Sequence, residues 1–375
     1  MDLSRLLVLL DAFTALQWQN LVMIGIGGVL IALAIIKDYE PNLLLPIGFG
    51  AILANLPLTG ATEAGGWLKV LFDAGIHTEL FPLFVFIAIG AMTDFGPLLE
   101  NPKMALLGAA GQFGIFITLL LAITTGMFTL NEAASIGIIG AIDGPTAIYV
   151  SSKLAPHLLG PITVCAYSYM SLVPIIQPPV MRLLTSKQEK TVHMPYTIKE
   201  VSRATRILFP IVVTIVVSLI APKASPLIAS LMFGNLIRES GAVERLNNAA
   251  QNELANLTTL FLGLVIGSTM EGVNFIQPTT LVILALGLFA FVMDTVGGVM
   301  LGKLMYVISG HKFNPLIGAA GISAFPMSAR IVQRFGQEYD SSNFLLMHAM
   351  GANAAGQLGS VIAGGVVLAI MAGVM

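Results

Sequence analysis

Long runs without Asp, Glu, Lys or Arg alternate with short charged breaks along the whole chain. A helix that crosses a bilayer needs ~20 mainly apolar residues. Uncharged runs of about that length, some shorter, lie at Asn20–Ile36, Pro41–Thr62, Leu80–Thr93, Met104–Asn131, Leu154–Met181, Ile207–Pro222, Ala224–Ile237, Leu254–Met270, Gly272–Met293, Phe313–Ala329 and Ser341–Met375. Ala133–Ser152 joins them, interrupted by Asp143. The pattern predicts an all-α polytopic membrane protein with about ten to twelve membrane segments. Residues 1–19, with Asp2, Arg5 and Asp11 set among leucines, read as an amphipathic lead-in helix lying on the membrane.

One long polar break, residues 182–206, divides the chain near its midpoint. It holds Arg182, Lys187, Lys190, Lys199, Arg203 and Arg206, six of the 18 basic residues. Lys and Arg mark cytoplasmic loops, so this one is assigned to the cytoplasm. The flanking regions, 20–181 and 207–375, resemble each other weakly. Ile89-Gly90 and Asp94 match Ile266-Gly267 and Glu271 at an offset of 271 − 94 = 177; Phe49-Gly50 matches Phe233-Gly234 at 233 − 49 = 184; Gly140 and Pro145 match Gly321 and Pro326 at 321 − 140 = 181. Such internal repeats build many secondary transporters. Inverted halves need an odd number of spans each, and one short, broken segment per half could be re-entrant. The expectation is therefore two inverted halves with broken helices at the midplane.

Composition narrows the function. Hydrophobic types make up 56% and charged types 10% of 375 residues, with mean hydropathy +0.88. A soluble domain carries about 25% charged residues, so this chain lacks the charge to coat a water-exposed surface. The formal net charge of −2 offers no basic face to nucleic acid. The single Cys165 excludes an internal disulfide framework and a cysteine metal site.

Three segments break the rules for ordinary membrane helices. In the first, Asp143 interrupts an apolar run and Gly144-Pro145 follows at once. A charge at bilayer depth costs ~3 kcal/mol on insertion scales, so it must be neutral, paired or facing an aqueous cavity. Gly-Pro would free backbone carbonyls beside the carboxylate and the Thr146 hydroxyl. That oxygen-rich cage suits a hard cation such as Na+. The second segment, Asn314–Arg330, is broken by Pro326 and carries Ser323, Ser328 and Arg330. The repeat sets it opposite the first, since 143 + 181 = 324 falls beside Ser323. The third, Gly351–Ser360, places Asn353, Gln357 and Ser360 in an uncharged stretch, opposite Tyr167–Pro174. Asp294 also lies deep in an apolar run, and the residues leave a helix-end role and a functional one equally open.

Residues alone lead to a cation-coupled transporter, with a sodium-coupled organic-anion symporter as one reading. The strings GAIDGPTAIYVSSKLAPHLLGPI, YSYMSLVPIIQPPVMRLLT, NPLIGAAGISAFPMSARIVQ and NFLLMHAMGANAAGQLGS go further. They resemble the beta subunit of sodium-pumping, biotin-dependent decarboxylases of oxaloacetate, methylmalonyl-CoA and glutaconyl-CoA. The resemblance implies a multi-pass subunit of the bacterial cytoplasmic membrane that decarboxylates carboxybiotin and exports Na+. It implies a biotin carrier, a carboxyltransferase alpha subunit and a small single-span subunit as partners, and a homotrimer of this chain. No Met-Lys-Met biotin attachment motif occurs here, so carboxybiotin would arrive on the carrier. The family's residues fall on Asp143, Tyr169, Asn314, Gly318, Ser323, Arg330 and Asn353. Asp143, Thr146, Ser323 and Asn353 are expected around Na+. Tyr169, Arg330, Asn314 and Gly318 are expected around carboxybiotin, with Arg330 gripping its carboxylate and Tyr169 relaying a proton. Asp143, Tyr169, Ser323 and Arg330 form the expected catalytic set. The family usually has proline before the last asparagine; Ala352 stands there in this chain. The substrate never touches this subunit, and only the chain's compact length leans toward glutaconyl-CoA or methylmalonyl-CoA.

Overall fold

A computed structural model describes residues 11–37, 41–195 and 201–374, which form helices with no strand among them. Most of the lead-in expected over 1–19 lies outside the described residues, as does 196–200 of the basic loop. Omitting the shortest turns, the helices run in order: α1 Trp18–Lys37, α2 Pro41–Ala54, α3 Trp67–Phe72, α4 Leu80–Met92, α5 Met104–Ala110, α6 Phe113–Thr124, α7 Leu130–Gly137, α8 Gly144–Leu154, α9 Leu159–Ser171 and α10 Val173–Leu184. After the basic loop come α11 Arg203–Ile220, α12 Ser225–Ser240, α13 Glu244–Ala249, α14 Ala255–Ser268, α15 Pro278–Ile308, α16 Met327–Gln337 and α17 Leu346–Val374. Among the described residues, five helical stretches are long and apolar enough to cross a bilayer, and counting each of two bent pairs as one span brings the number to seven. The bends are 61° between Trp67–His77 and α4, and 68° between Pro156–Ser171 and α10. At the second bend Pro174 sits in the first turn of α10, where its missing N–H breaks no bond.

Contacts sort the helix ends into two groups. At the basic-loop end, Gln251 donates to the Ala91 carbonyl, Arg238 to Met92, Arg203 to Ser240 and Lys303 to Leu184. At the far end, Asn55 donates to the Met270 carbonyl, Lys153 pairs with Glu79, and His157 pairs with Glu132. Helix α4 therefore runs from the far end to the basic-loop end, and α14 runs the opposite way.

Glycines set the closest approaches. A side chain at Gly50 would meet the Leu264 carbonyl, and one at Gly267 would meet Ile47. A side chain at Gly234 would meet Ile87, and one at Gly90 would meet Leu231. The first pair joins α2 to α14 and the second joins α12 to α4. Small residues let helix backbones touch where lipid supplies no hydrophobic drive between helices. Two π-helical turns, Asp73–His77 and Ala250–Leu254, recur at 250 − 73 = 177.

Two segments enter the bundle and turn back. The first descends from the far end as α7, started by a reciprocal Thr129–Glu132 cap, and tightens into a 3-10 turn at Ile138–Ala141. It reverses at Ile142 and returns as α8. The second starts at the basic-loop end with a 3-10 turn, Pro315–Gly321, and returns as α16. The uncharged run that ended at Met293 does not end a helix: α15 continues to Ile308. Asp294 is thus a fully buried mid-helix residue. Its Oδ1 accepts the Gly114 N–H at 2.5 Å, at the start of α6, and its side chain abuts Gly140 of the first hairpin. The chain around Ala352 is likewise unbroken within α17.

Candidate functional site

The tips of the two hairpins meet. Ile142 from the first packs with Ile322 and Ala324 from the second in one buried cluster. Ile142 holds φ 50° and ψ 40°, a left-handed conformation that a β-branched residue rarely adopts. That turn ends the 3-10 segment and sets Asp143 at the head of α8. A side chain at Gly144 would occupy the ring of Tyr167, so this phenol lies against the Asp-Gly step.

Asp143 is 4% exposed. Its Oδ2 accepts hydrogen bonds from Thr146 Oγ1 at 2.7 Å and from Ser360 Oγ at 3.0 Å. Ser360 belongs to α17, whose polar face also reaches the second hairpin. There Asn353 Nδ2 donates to the Ile322 carbonyl at 2.6 Å, and Gln357 Nε2 donates to the Ser323 carbonyl. Ser323 Oγ in turn donates to the Gly356 carbonyl at 3.0 Å. With both amide nitrogens used, the amide oxygens of Asn353 and Gln357 are buried without a partner, and so is the Tyr167 hydroxyl. One carboxylate and several neutral oxygens are what a weakly charged, hard cation takes as ligands.

The site opens into a cavity of about 490 Å³. Asp143, Gly144, Pro145, Tyr167, Ser323, Pro326 and Gln357 form its inner wall. Asn42, Met92, Gln251 and Asn256, all near the basic-loop end, form its mouth. A second cavity of about 510 Å³ lies at the far end, bordered by Gly160, Ser268, Glu271 and Gln277. The two linings share no residue. Along α14, Leu262 faces the inner cavity and Ser268 the far one, with buried Val265 and Ile266 between them.

The structure sets Asp143 and Ser323 in the cavity wall and buries Thr146 against Asp143 and Asn353 against the Ile322 carbonyl, both outside the lining. It does not bring the other expected residues to the cavity. Tyr169 turns to α15, where its hydroxyl donates to the Leu284 carbonyl at 2.6 Å. The phenol at the site is Tyr167, two residues earlier on the next face of α9. Arg330 is exposed on α16 and absent from the cavity lining. Asn314 donates to the Lys190 and Val192 carbonyls at 3.2 and 2.9 Å and accepts the Leu316 N–H. It fastens the basic loop to the second hairpin. Gly318 is packed against the Gly298 backbone. Sequence reading did not assign Tyr167, Gln357 or Ser360 to the site. The signal was present: Asn353, Gln357 and Ser360 follow the i, i+4, i+7 spacing of one helix face.

Residues 19–371 match the family described as the Na+-transporting oxaloacetate decarboxylase beta subunit. The chain is 52% identical over 363 residues to the glutaconyl-CoA decarboxylase subunit beta of Acidaminococcus fermentans, covering 97% of this chain and 96% of that one. It is 50% identical over 382 residues to the methylmalonyl-CoA decarboxylase subunit beta of Propionigenium modestum, covering 96% of each. It is 46% identical over 407 residues to the oxaloacetate decarboxylase beta chain of Klebsiella pneumoniae, covering 92% of this chain and 94% of that one.

Proposed function

Given that the chain belongs to the Na+-transporting oxaloacetate decarboxylase beta subunit family, we propose that the Asp143 cavity is where sodium and carboxybiotin meet. The protein is a membrane subunit of a decarboxylase that couples decarboxylation to Na+ transport. That sets aside the non-enzymatic anion symporter.

Our reading of the architecture is an inverted repeat of residues 20–181 and 207–375. Each half has five spans and one re-entrant hairpin. Its support is the pairing of α2 with α14 and of α12 with α4, which exchange when each helix is replaced by its repeat partner. Further support is the opposite direction of partners α4 and α14, and the π-turns at one offset. The basic-loop end is then cytoplasmic, in a bacterial cytoplasmic membrane.

Sodium enters from the cytoplasmic cavity and is held by Asp143, with Thr146, Ser323 and Asn353 ordering or supplying oxygens around it. A biotin carrier presents its carboxylated ring in the same cavity. The ring's N–C bond to the carboxylate breaks, the electron pair stays on nitrogen, CO2 leaves, and the nitrogen takes up a proton. Tyr167, whose hydroxyl faces Asp143's turn, is better placed to pass that proton than Tyr169. Sodium also neutralises Asp143 and so lets an anionic guest approach it, which makes the two binding events favour one another. Once CO2 has left and the ring nitrogen is protonated, the guest is neutral, which removes that support and lets Na+ go to the far side. A carboxyltransferase alpha subunit loads the carrier, a small single-span subunit completes the complex, and three copies of this chain form its core. The acid decarboxylated is glutaconyl-CoA or methylmalonyl-CoA.

The observation that carries this reading is the one buried carboxylate at the meeting of two hairpin tips, open to the basic-loop end. The test is the purified complex in liposomes, assayed with each of the three acids. Avidin-sensitive decarboxylation that drives radioactive sodium uptake supports the reading. Decarboxylation without sodium movement overturns it.

A further inference from the structure

The cavity has two polar walls of different chemistry. The hairpin wall carries Asp143, the one charged residue among the lining side chains. The opposite wall comes from α2, the π-turn before α14, and α14 itself. It presents Asn42, Gln251, Asn256 and Thr259. Gln251 is held in place because its Nε2 donates to the Ala91 carbonyl at 2.7 Å and to Asn247 Oδ1 at 3.2 Å. That leaves its carbonyl oxygen available. π-Turns inside α-helices are frequent at functional sites.

The repeat supplies an internal control for this wall. Position 251 − 177 = 74 is Ala74, 256 − 177 = 79 is Glu79, and 259 − 177 = 82 is Pro82; 42 + 184 = 226 is Pro226. Three of the four partners have no polar side chain, and Glu79 is tied to Lys153 at 2.6 Å. The backbone, π-turn included, is thus shared by both halves, but the uncharged polar wall exists in one. The scaffold does not demand these residues there.

We infer that Asn42, Gln251, Asn256 and Thr259 form the recognition wall for the N-carboxylated cyclic urea that enters this cavity. The inference rests on the proposed function and names its specificity-determining residues. A cyclic urea offers a carbonyl acceptor and an N–H donor; primary amides and a hydroxyl can satisfy both. No lysine or arginine lines this cavity among the described residues. The wall therefore recognises the ring and leaves the guest's negative charge to be balanced on the opposite side, next to Asp143. That division of labour keeps guest recognition separable from ion binding.

The experiment uses the purified complex and compares Gln251→Leu, Asn256→Leu, Thr259→Val and, as the conservative control, Thr259→Ser. The KM for carboxylated carrier and for free N-carboxybiotin is measured at saturating Na+. Sodium binding without any biotin is measured on the same samples. Each of the first three variants should raise KM roughly five- to tenfold, about the net loss of one hydrogen bond, with guest-free sodium affinity unchanged. Thr259→Ser should keep the wild-type KM. Unchanged KM in the isosteric Thr259→Val and in Asn256→Leu overturns the wall, and so does an equal loss of guest-free sodium binding. If the wild-type complex itself fails to decarboxylate carboxylated carrier in a sodium-dependent way, the proposed function fails instead.

Discussion

The two hairpins meet at their tips, yet they are fastened and armed differently. The first carries the charge: Asp143 stands at its tip, where the second hairpin has Ala324 at the matching place. Its ends at the far surface are held by a His157–Glu132 contact at 2.7 Å and a Lys153–Glu79 ion pair at 2.6 Å. The second hairpin brings hydrogen-bond acceptors to the tip, and buried amides fasten it. Asn314 and Asn343 both donate to the Lys190 and Val192 carbonyls. Gln177 donates to the Ala319 carbonyl at 2.6 Å and to Ser328 at 2.9 Å. A buried amide bond fixes geometry, whereas an exposed ion pair contributes little. The hairpin facing the basic loop is therefore the better-anchored one, and the charged hairpin is held at its surface by weaker ties. The two hairpins thus divide the chemistry, with the charge on one and its positioning on the other.

The strongest break of this comparison is to move the charge. Asp143→Asn should abolish sodium-dependent decarboxylation, about a hundredfold or more, read by turnover against Na+ concentration. Adding Ala324→Asp to that variant should restore nothing, because Ser360 and Thr146 order only the first tip. Recovery in the double variant would show the tips to be interchangeable.

Next, Asn314→Ala and Asn343→Ala should each destabilise the second hairpin's base by roughly 2 kcal/mol, since buried carbonyls lose a donor. Thermal unfolding of the detergent-solubilised protein and faster protease cleavage near residues 186–195 would register it. Ser360→Ala should weaken sodium about tenfold, as one of the two hydroxyls on Asp143 is lost, with little change in melting temperature. Isothermal titration with NaCl measures it.

Tyr167→Phe should slow turnover more than Tyr169→Phe. The latter removes one bond to Leu284 and should cost only a fewfold in turnover. The reverse order would return the proton to Tyr169. The smallest effect belongs to the surface. His193 pairs with Asp340 at 2.6 Å, but both are open to solvent. Ser342 chiefly, and His193 after it, hold the Asp340 carboxyl below its usual range. A lowered carboxyl stabilises above its unfolded value near pH ~4 and loses that as pH falls further. His193→Ala should therefore leave stability at pH 7 nearly unchanged, because solvent screens the pair, checked by the same melting assay.

Much of this was legible in the chain. A charge followed by Gly-Pro in an apolar run marks a tip, since no ordinary membrane helix tolerates it, and the offset to Pro326 found the second. What the sequence could not reveal is rotation about a helix axis. Tyr167 and Tyr169 are both plausible from spacing, and only the packing of α9 against α15 turns one to the cavity and the other to Leu284. Arg330 lies outside the cavity lining for the same reason, because a motif places a residue along a helix but not around it. Asp294 ended an uncharged run on paper, yet the start of α6 supplies N–H groups that let α15 continue through it.

The apolar layer on α14 has an electrical consequence. Leu262 borders one cavity and Ser268 the other, and six residues of helix rise only roughly 9 Å. With water in both cavities and the bundle across a bilayer, the membrane voltage would fall across that layer rather than across the ~30 Å of the bilayer. The field there would be about three times steeper than in plain lipid. On the proposed sodium path, an ion at Asp143 would have crossed almost none of the voltage, and the short step past Val265 and Ile266 would carry nearly all the work, ~2.3 kcal/mol per charge for each 100 mV.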